Sequence, residues 1–126
     1  MKCYVAGPMT GYPGFNYKAF DDARDTLRDL GWDVISPADL DRQNLDIDFS
    51  KMEGTEDLSM YRHVFARQDI EALLQVDAVY LLPGWQESTG AMNEARIATM
   101  LGVPCAEYET GEWIKIDAPF SAVRRP

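Results

Sequence analysis

Four short apolar runs, 2–6 (KCYVA), 32–37 (WDVISP), 77–84 (DAVYLLPG) and 103–108 (VPCAEY), alternate with longer stretches in which apolar residues recur at helical spacing. That alternation leaves few folds open. Strand, helix and strand in so few residues close as a right-handed crossover between parallel strands. In the first crossover Phe20, Ala23, Leu27 and Leu30 follow Asn16, read as an N-cap, and the pattern stops at Gly31. In the second, Leu58, Tyr61, Phe65, Ile70, Leu73 and Leu74 keep roughly helical spacing, and the third helix occupies much of 84–102, GWQESTGAMNEARIATMLG. The segment 112–117 (EWIKID) offers a fifth strand, at an edge, and 118–126 shows no clear structure. The expected class is α/β with a mainly parallel sheet of four or five strands.

The chain of 126 residues suits one domain with one core, taken here as 1–126. Apolar residues at 46% and charged residues at 26% argue against disorder or a fibrous repeat. No apolar run approaches the ~18 residues that span a bilayer, and the first residues are too short an apolar piece for a secretory leader, so no membrane association and a cytoplasmic location are expected. Cys3 and Cys105 lack any CxxC or Cys/His spacing and are read as buried free thiols, with no metal and no cofactor expected. The net charge of −9 opposes binding of a long nucleic acid, whose phosphates need clustered Lys and Arg. A small anion stays open, because backbone N–H groups at a helix N-terminus attract it locally.

Ligands of open parallel sheets bind at the carboxyl ends of the strands, which nominates three loops: 7–15 (GPMTGYPGF), the acidic segment 38–57, and 83–89 (PGWQEST). The acidic segment shows no sustained period and reads as a mobile or ligand-ordered loop. Its Asp39, Asp41, Asp46 and Asp48 lack calcium-loop spacing and are taken as solvated. In the third loop Ser88 is an N-cap, and Thr89 and Gly90 leave N–H groups where a phosphate could dock; Ser88 could equally serve only its own helix. On that helix Ala91, Glu94, Ala98 and Leu101 share the face that should pack on the sheet, so Glu94 interrupts an apolar stripe. A carboxylate buried without partners costs several kcal/mol, so Glu94 needs a hydrogen-bond partner or a cleft. A structural Arg or an outward turn of the side chain would serve as well. Asp69 is a second candidate acid, whereas Asp77 starts a strand at the opposite sheet end and reads as a turn residue. Met9, Tyr12, Phe15 and Trp85 lie in cleft loops, where they stack on a ligand or pack locally. Asn93 is either a polar pocket residue or exposed, Arg67 reaches a phosphate or pairs with a neighbouring acid, and His63 is read as a surface residue.

The segments YVAGPMTG, ARQDIEALLQVDAVYLLPGW and STGAMNEARIATMLGVP together resemble the nucleoside 2-deoxyribosyltransferase-like superfamily, and among its members the small, often phage-encoded DUF4406 group. The likeness covers about residues 3–105 and is weakest through 38–58. It implies a Rossmann-like or flavodoxin-like three-layer sandwich and cleavage of the N-glycosidic bond of a nucleoside or nucleotide, with release of the sugar to water or transfer to another base. Position by position, the resemblance implies that Glu94 is the nucleophile, that Asp69 assists near the base or sugar, and that Tyr4 lies beside the nucleophile. It also implies that Ser88 helps hold a 5′-phosphate and that Gly7 lines the pocket. The chain has GAMNE where many relatives have GxGxE, and 118–126 offers no counterpart of residues that some transferases lend to a neighbouring subunit. The implied partners are a small nucleoside or nucleotide and, as in relatives, a second copy of the chain in a homodimer or larger homo-oligomer. A module that binds nucleotides without turning them over would keep the same pocket.

Overall fold

The computed structural model describes residues 1–114, so the stretch 118–126 and the second half of the expected edge strand lie outside the described residues. Strand β1 (Lys2–Ala6) leads through a 3₁₀ turn at Pro13–Asn16 to helix α1 (Tyr17–Asp29) and strand β2 (Asp33–Ile35). Helix α2 (Pro37–Asn44), 3₁₀ turns at Phe49–Lys51 and Ser59–Tyr61, and helix α3 (Arg62–Leu73) precede strand β3 (Ala78–Leu81). After a 3₁₀ turn at Trp85–Glu87 come helix α4 (Thr89–Met100), strand β4 (Cys105–Glu107) and strand β5 (Trp113–Ile114). The strand order is β2-β1-β3-β4-β5, parallel through β4, with β5 antiparallel at the edge. In this order the chain reverses its direction of travel between β1 and β3, the switch point where such sheets open a crevice.

The alternation of side chains along β1 assigns the two layers. Cys3 and Val5 face the side covered by α1 through Phe20, Ala23 and Leu27. Tyr4 and Ala6 face the side covered by α3 and α4, where Ala72, Leu73, Ala91, Ala95 and Ala98 pack with Val79 and Leu81. The alanines of α4 let the helix approach the sheet closely, so whatever stands next to them is held near β1. Cys3 and Cys105 are free and buried, and burial pushes their thiols up to about 12 and about 11.

Three expectations need correction. Asn16 does not cap α1: it adopts a left-handed backbone with φ of 63° and its side-chain amide donates to the Pro8 carbonyl at 2.9 Å, which ties the turn to the first loop. Leu101 is 45% exposed, so the buried stripe of α4 runs through Ala91, Ala95 and Ala98. The segment 38–57 is built rather than featureless: it contains α2 and a buried Phe49 whose ring meets those of Phe15, Tyr17, Tyr61 and Phe65 at centroid distances of 6.0–6.1 Å. Backbone bonds from Gly11 to the Gly54 carbonyl (2.8 Å) and from Gly14 to the Met52 carbonyl (2.7 Å) strap this segment to the first loop. Gly54 allows that approach, since its φ is 102° and a Cβ would stand 1.9 Å from the Tyr12 carbonyl oxygen.

Candidate functional site

A cleft of about 940 Å³ opens over the switch point, lined by the first loop, the start of α1, α2, the Phe49 turn, α3 and α4 along its length from Thr89 to Met100. Its volume is that of a site for a small organic molecule. Glu94 and Asp69 both line it, so the stripe-breaking acid of α4 and the acid of α3 meet across one cavity. α3 runs back toward the amino ends of the strands, yet Asp69 is still on the cleft side about two turns from the helix start. Below them, Tyr4 is fully buried in the central strand and donates its hydroxyl proton to Glu94 Oε2. Asp69 Oδ1 is buried with no hydrogen-bond partner.

The electrostatics follow from crowding acids into a wall of low polarity. Burial, then the charge of Asp69, drives the Glu94 carboxyl well above the usual carboxylate range, and the Tyr4 hydrogen bond offsets part of that. Burial, then the charge of Asp41, pushes Asp69 up to about 7, offset in part by Tyr4 and Gln68. Two such acids cannot both ionise at neutral pH, so the pair keeps one proton. Within the pair Tyr4 donates to Glu94, and Asp69 Oδ1 is the oxygen left without a partner. Tyr4 itself is held neutral, its hydroxyl pushed far up by burial and then by the two carboxylates.

The other expected positions divide. Gly7, Met9, Phe15, Ser88, Gly90 and Asn93 all line the cleft. Gly7 is also required for packing, because a Cβ there would stand 2.7 Å from the Leu82 Cβ. Phe15 has a strained backbone, with φ of 52°, and presents its ring beside Phe49. The Ser88 hydroxyl accepts from the Ala91 N–H at 3.2 Å and so caps α4, while still bordering the cleft. Trp85 is corrected: its ring is buried in the core beneath α4 rather than on the cleft wall, and its indole N–H has no partner. Tyr12 is not on the wall either, nor are Arg67 and His63; the α3 cation that borders the cleft is Arg62.

Sequence reasoning missed Asp41 and Tyr17. Asp41 is 4% exposed rather than solvated, and it accepts from the Tyr17 hydroxyl and from the Gln68 amide. It was detectable by the argument applied to Glu94, because it falls three residues after Ala38 and four after Pro37 on the buried face of its helix. Phe49, Phe65, Ile70 and Ile97 complete the apolar wall. Among the described residues no group of His, Cys, Asp and Glu is arranged to hold a metal ion, and no helix is long and apolar enough to cross a membrane.

The family model for a domain of unknown function, DUF4406, matches residues 1–107. The chain is also similar to a solved structure of a 2-deoxyribosyltransferase from the psychrotolerant bacterium Bacillus psychrosaccharolyticus, with 24% identity and a TM-score of 0.60, over 83% of this chain and 69% of that one. At that identity the likeness speaks for the fold. No curated protein matches the chain.

Proposed function

This chain belongs to the DUF4406 family, and we propose from its own cleft that it cleaves the N-glycosidic bond of a nucleoside or nucleoside 5′-monophosphate. The observation that carries this reading is the pairing of Glu94, hydrogen-bonded by Tyr4, with Asp69, whose carboxyl is pushed up to about 7, across a cavity of nucleotide size. In this reading Glu94 acts as the anion and Asp69 as the proton donor, which is what the reaction needs. A Glu94 oxygen attacks C1′ as the C1′–N bond breaks, the bonding pair leaves with the base, and Asp69 protonates the base. The carboxylate first stabilises the oxocarbenium-like charge and then forms a glycosyl ester. In the second half, water or the nitrogen of another base displaces Glu94 from C1′, and its proton returns to Asp69.

The same reading gives the remaining cleft residues their tasks. Phe15 and Met9 contact the base or sugar, and Gly7 and Asn93 border the sugar. Ser88 and the N–H groups at Thr89 and Gly90 receive the 5′-phosphate at the positive end of α4. Trp85 takes no direct part. We further propose that the chain self-associates. Supporting this, Leu74 at the end of α3 and Leu101 at the end of α4 lie outside the cleft and are 64% and 45% exposed.

The test is a panel of nucleosides and 5′-monophosphates, each with and without a second free base, followed by chromatography. Base released without an acceptor marks a hydrolase, and exchange marks a transferase. Equal turnover of nucleosides and monophosphates contradicts the phosphate site. Tight binding without turnover of any compound contradicts catalysis and leaves a nucleotide-binding module.

A further inference from the structure

Tyr12 lies off the cleft wall, yet the loops that carry both ends of the ligand site meet at it. Its N–H donates to the Met9 carbonyl at 3.1 Å and its own carbonyl accepts the Phe15 N–H at 2.9 Å, so Tyr12 closes the turn that presents Met9 and Phe15 to the cleft. Gly14, Phe15 and Asn16 follow with φ of 59°, 52° and 63°. A phenylalanine in that region persists only where its surroundings hold it. Here the holders are the Tyr12 carbonyl, the Met52 carbonyl that accepts from Gly14 at 2.7 Å, and the Asn16 amide that reaches Pro8.

The Tyr12 side chain continues the connection to the other end of the site. A Cβ at Gly84 would stand 2.8 Å from the Tyr12 hydroxyl oxygen and 3.4 Å from Pro8 Cγ, so the tip of the ring rests on the Gly84 backbone. Gly84 opens the 3₁₀ turn that ends in Ser88: its carbonyl accepts from the Glu87 N–H at 3.1 Å, and the Trp85 carbonyl accepts from the Ser88 N–H at 3.2 Å. On the third side the Tyr12 carbonyl oxygen faces Gly54 of the strap, where a Cβ would stand 1.9 Å away. Two glycines with φ of 85° and 102° thus make room for one tyrosine between three loops. The side chain is 39% exposed, so it builds little core in return.

We propose that Tyr12 is a positioning residue: from outside the cleft it sets the gap between the turn that carries Met9 and Phe15 and the turn that carries Ser88. A ligand that touches both turns, a nucleoside 5′-monophosphate, is thereby selected by its length as well as by its charge. That purpose rests on the placing of base and phosphate proposed above, whereas the contact of Tyr12 with Gly84 does not.

Hydrogen exchange of the full chain, without ligand, reads the contact. Tyr12→Ala should speed exchange several-fold at the hydrogen-bonded amides of Glu87, Ser88, Ala91 and Met92, and leave those of 97–101 at the far end of α4 unchanged. Leu30→Ala, at an exposed position that ends α1, should change neither. Calorimetric binding reads the gap, with adenosine, cytidine, their 5′-monophosphates and inorganic phosphate as probes. Tyr12→Ala should weaken a monophosphate that the wild type binds by about tenfold, within the loss that a misplacement of ~1 Å causes. The matching nucleoside and inorganic phosphate, which touch one turn each, should bind as in the wild type. Tyr12→Phe, which loses only the atom nearest Gly84, should fall between, and it carries both measurements if Tyr12→Ala fails to fold. Unchanged exchange at 87–92 overturns the proposal, and so does an equal loss for nucleoside and monophosphate. If no nucleoside or monophosphate binds the wild type, the nucleotide reading of the cleft falls instead, and the exchange result alone decides the role of Tyr12.

Discussion

Glu94 stands beside three alanines that bring α4 onto the sheet, and its carboxylate meets the hydroxyl of a fully buried tyrosine from the central strand. Such an acid is expensive to bury, and the expense is met by one hydrogen bond and by an opening to the cleft. The interruption of the apolar stripe was readable from spacing alone, whereas its partner was not: Tyr4 lies ninety positions away in sequence, and only the register of β1 beneath α4 brings the two together. Asp41 shows the other side of the same rule. Its position on a buried face carried the same signal, but the acidic residues around it disguised it as part of a solvated run. Ser88 illustrates two roles in one side chain. Replacing it by Ala removes the cap on α4 and should cost about 1 kcal/mol in denaturant melts. The same variant should raise the KM for monophosphates while sparing that for nucleosides. Equal loss for both would mean that Ser88 serves only the helix.

At the scale of elements, long periodic segments were legible and the short, long-range ones were not. α1, α3 and α4 each carry apolar residues at helical spacing, and the strands are bounded by Gly or Pro signals. α2 has eight residues and buries only Pro37, Ala38 and Asp41, too few for a recognisable stripe. The strap between the first loop and residues 49–56 consists of backbone hydrogen bonds, which leave no side-chain pattern. Phe49 anchors that strap with four aromatic neighbours and is 1% exposed. Phe49→Ala is therefore expected to cost about 3–5 kcal/mol. Because Phe49 also lines the cleft, nucleotide affinity should fall with it, even under conditions where the variant remains folded. A melt within about 1 kcal/mol of wild type would contradict the anchoring role.

For the whole molecule, alternation of strand and helix already implied a mainly parallel sheet, but the placement of β1 between β2 and β3, and hence the crevice, is a property of the assembled sheet. Its pH response follows from the raised acids. Asp69 moves from 3.8 to about 7 on folding, so the folded state binds a proton more tightly than the unfolded chain does. That contribution is complete below the unfolded value and is lost as pH rises through about 7, with Glu94 acting in the same direction. The depressed acids Asp48 and Asp57 act oppositely, but below the ordinary carboxylate range. Between about pH 5 and 7 the melting temperature should therefore fall, and Asp69→Asn should flatten the slope. A flat wild-type profile would show that the pair is not protonated. Self-association is tested by light scattering: Leu101→Glu should convert the wild-type oligomer to a smaller species, and a monomeric wild type would contradict the proposed contact. The central claim is attack by Glu94 on C1′, and intact-protein mass spectrometry after acid quench of a reacting mixture tests it most directly. The account predicts an added sugar or sugar-phosphate residue that maps to the peptide containing Glu94 and is absent from Glu94→Gln, which should still bind nucleotide. Base release by Glu94→Gln at the wild-type rate, or an adduct on another residue, would contradict it.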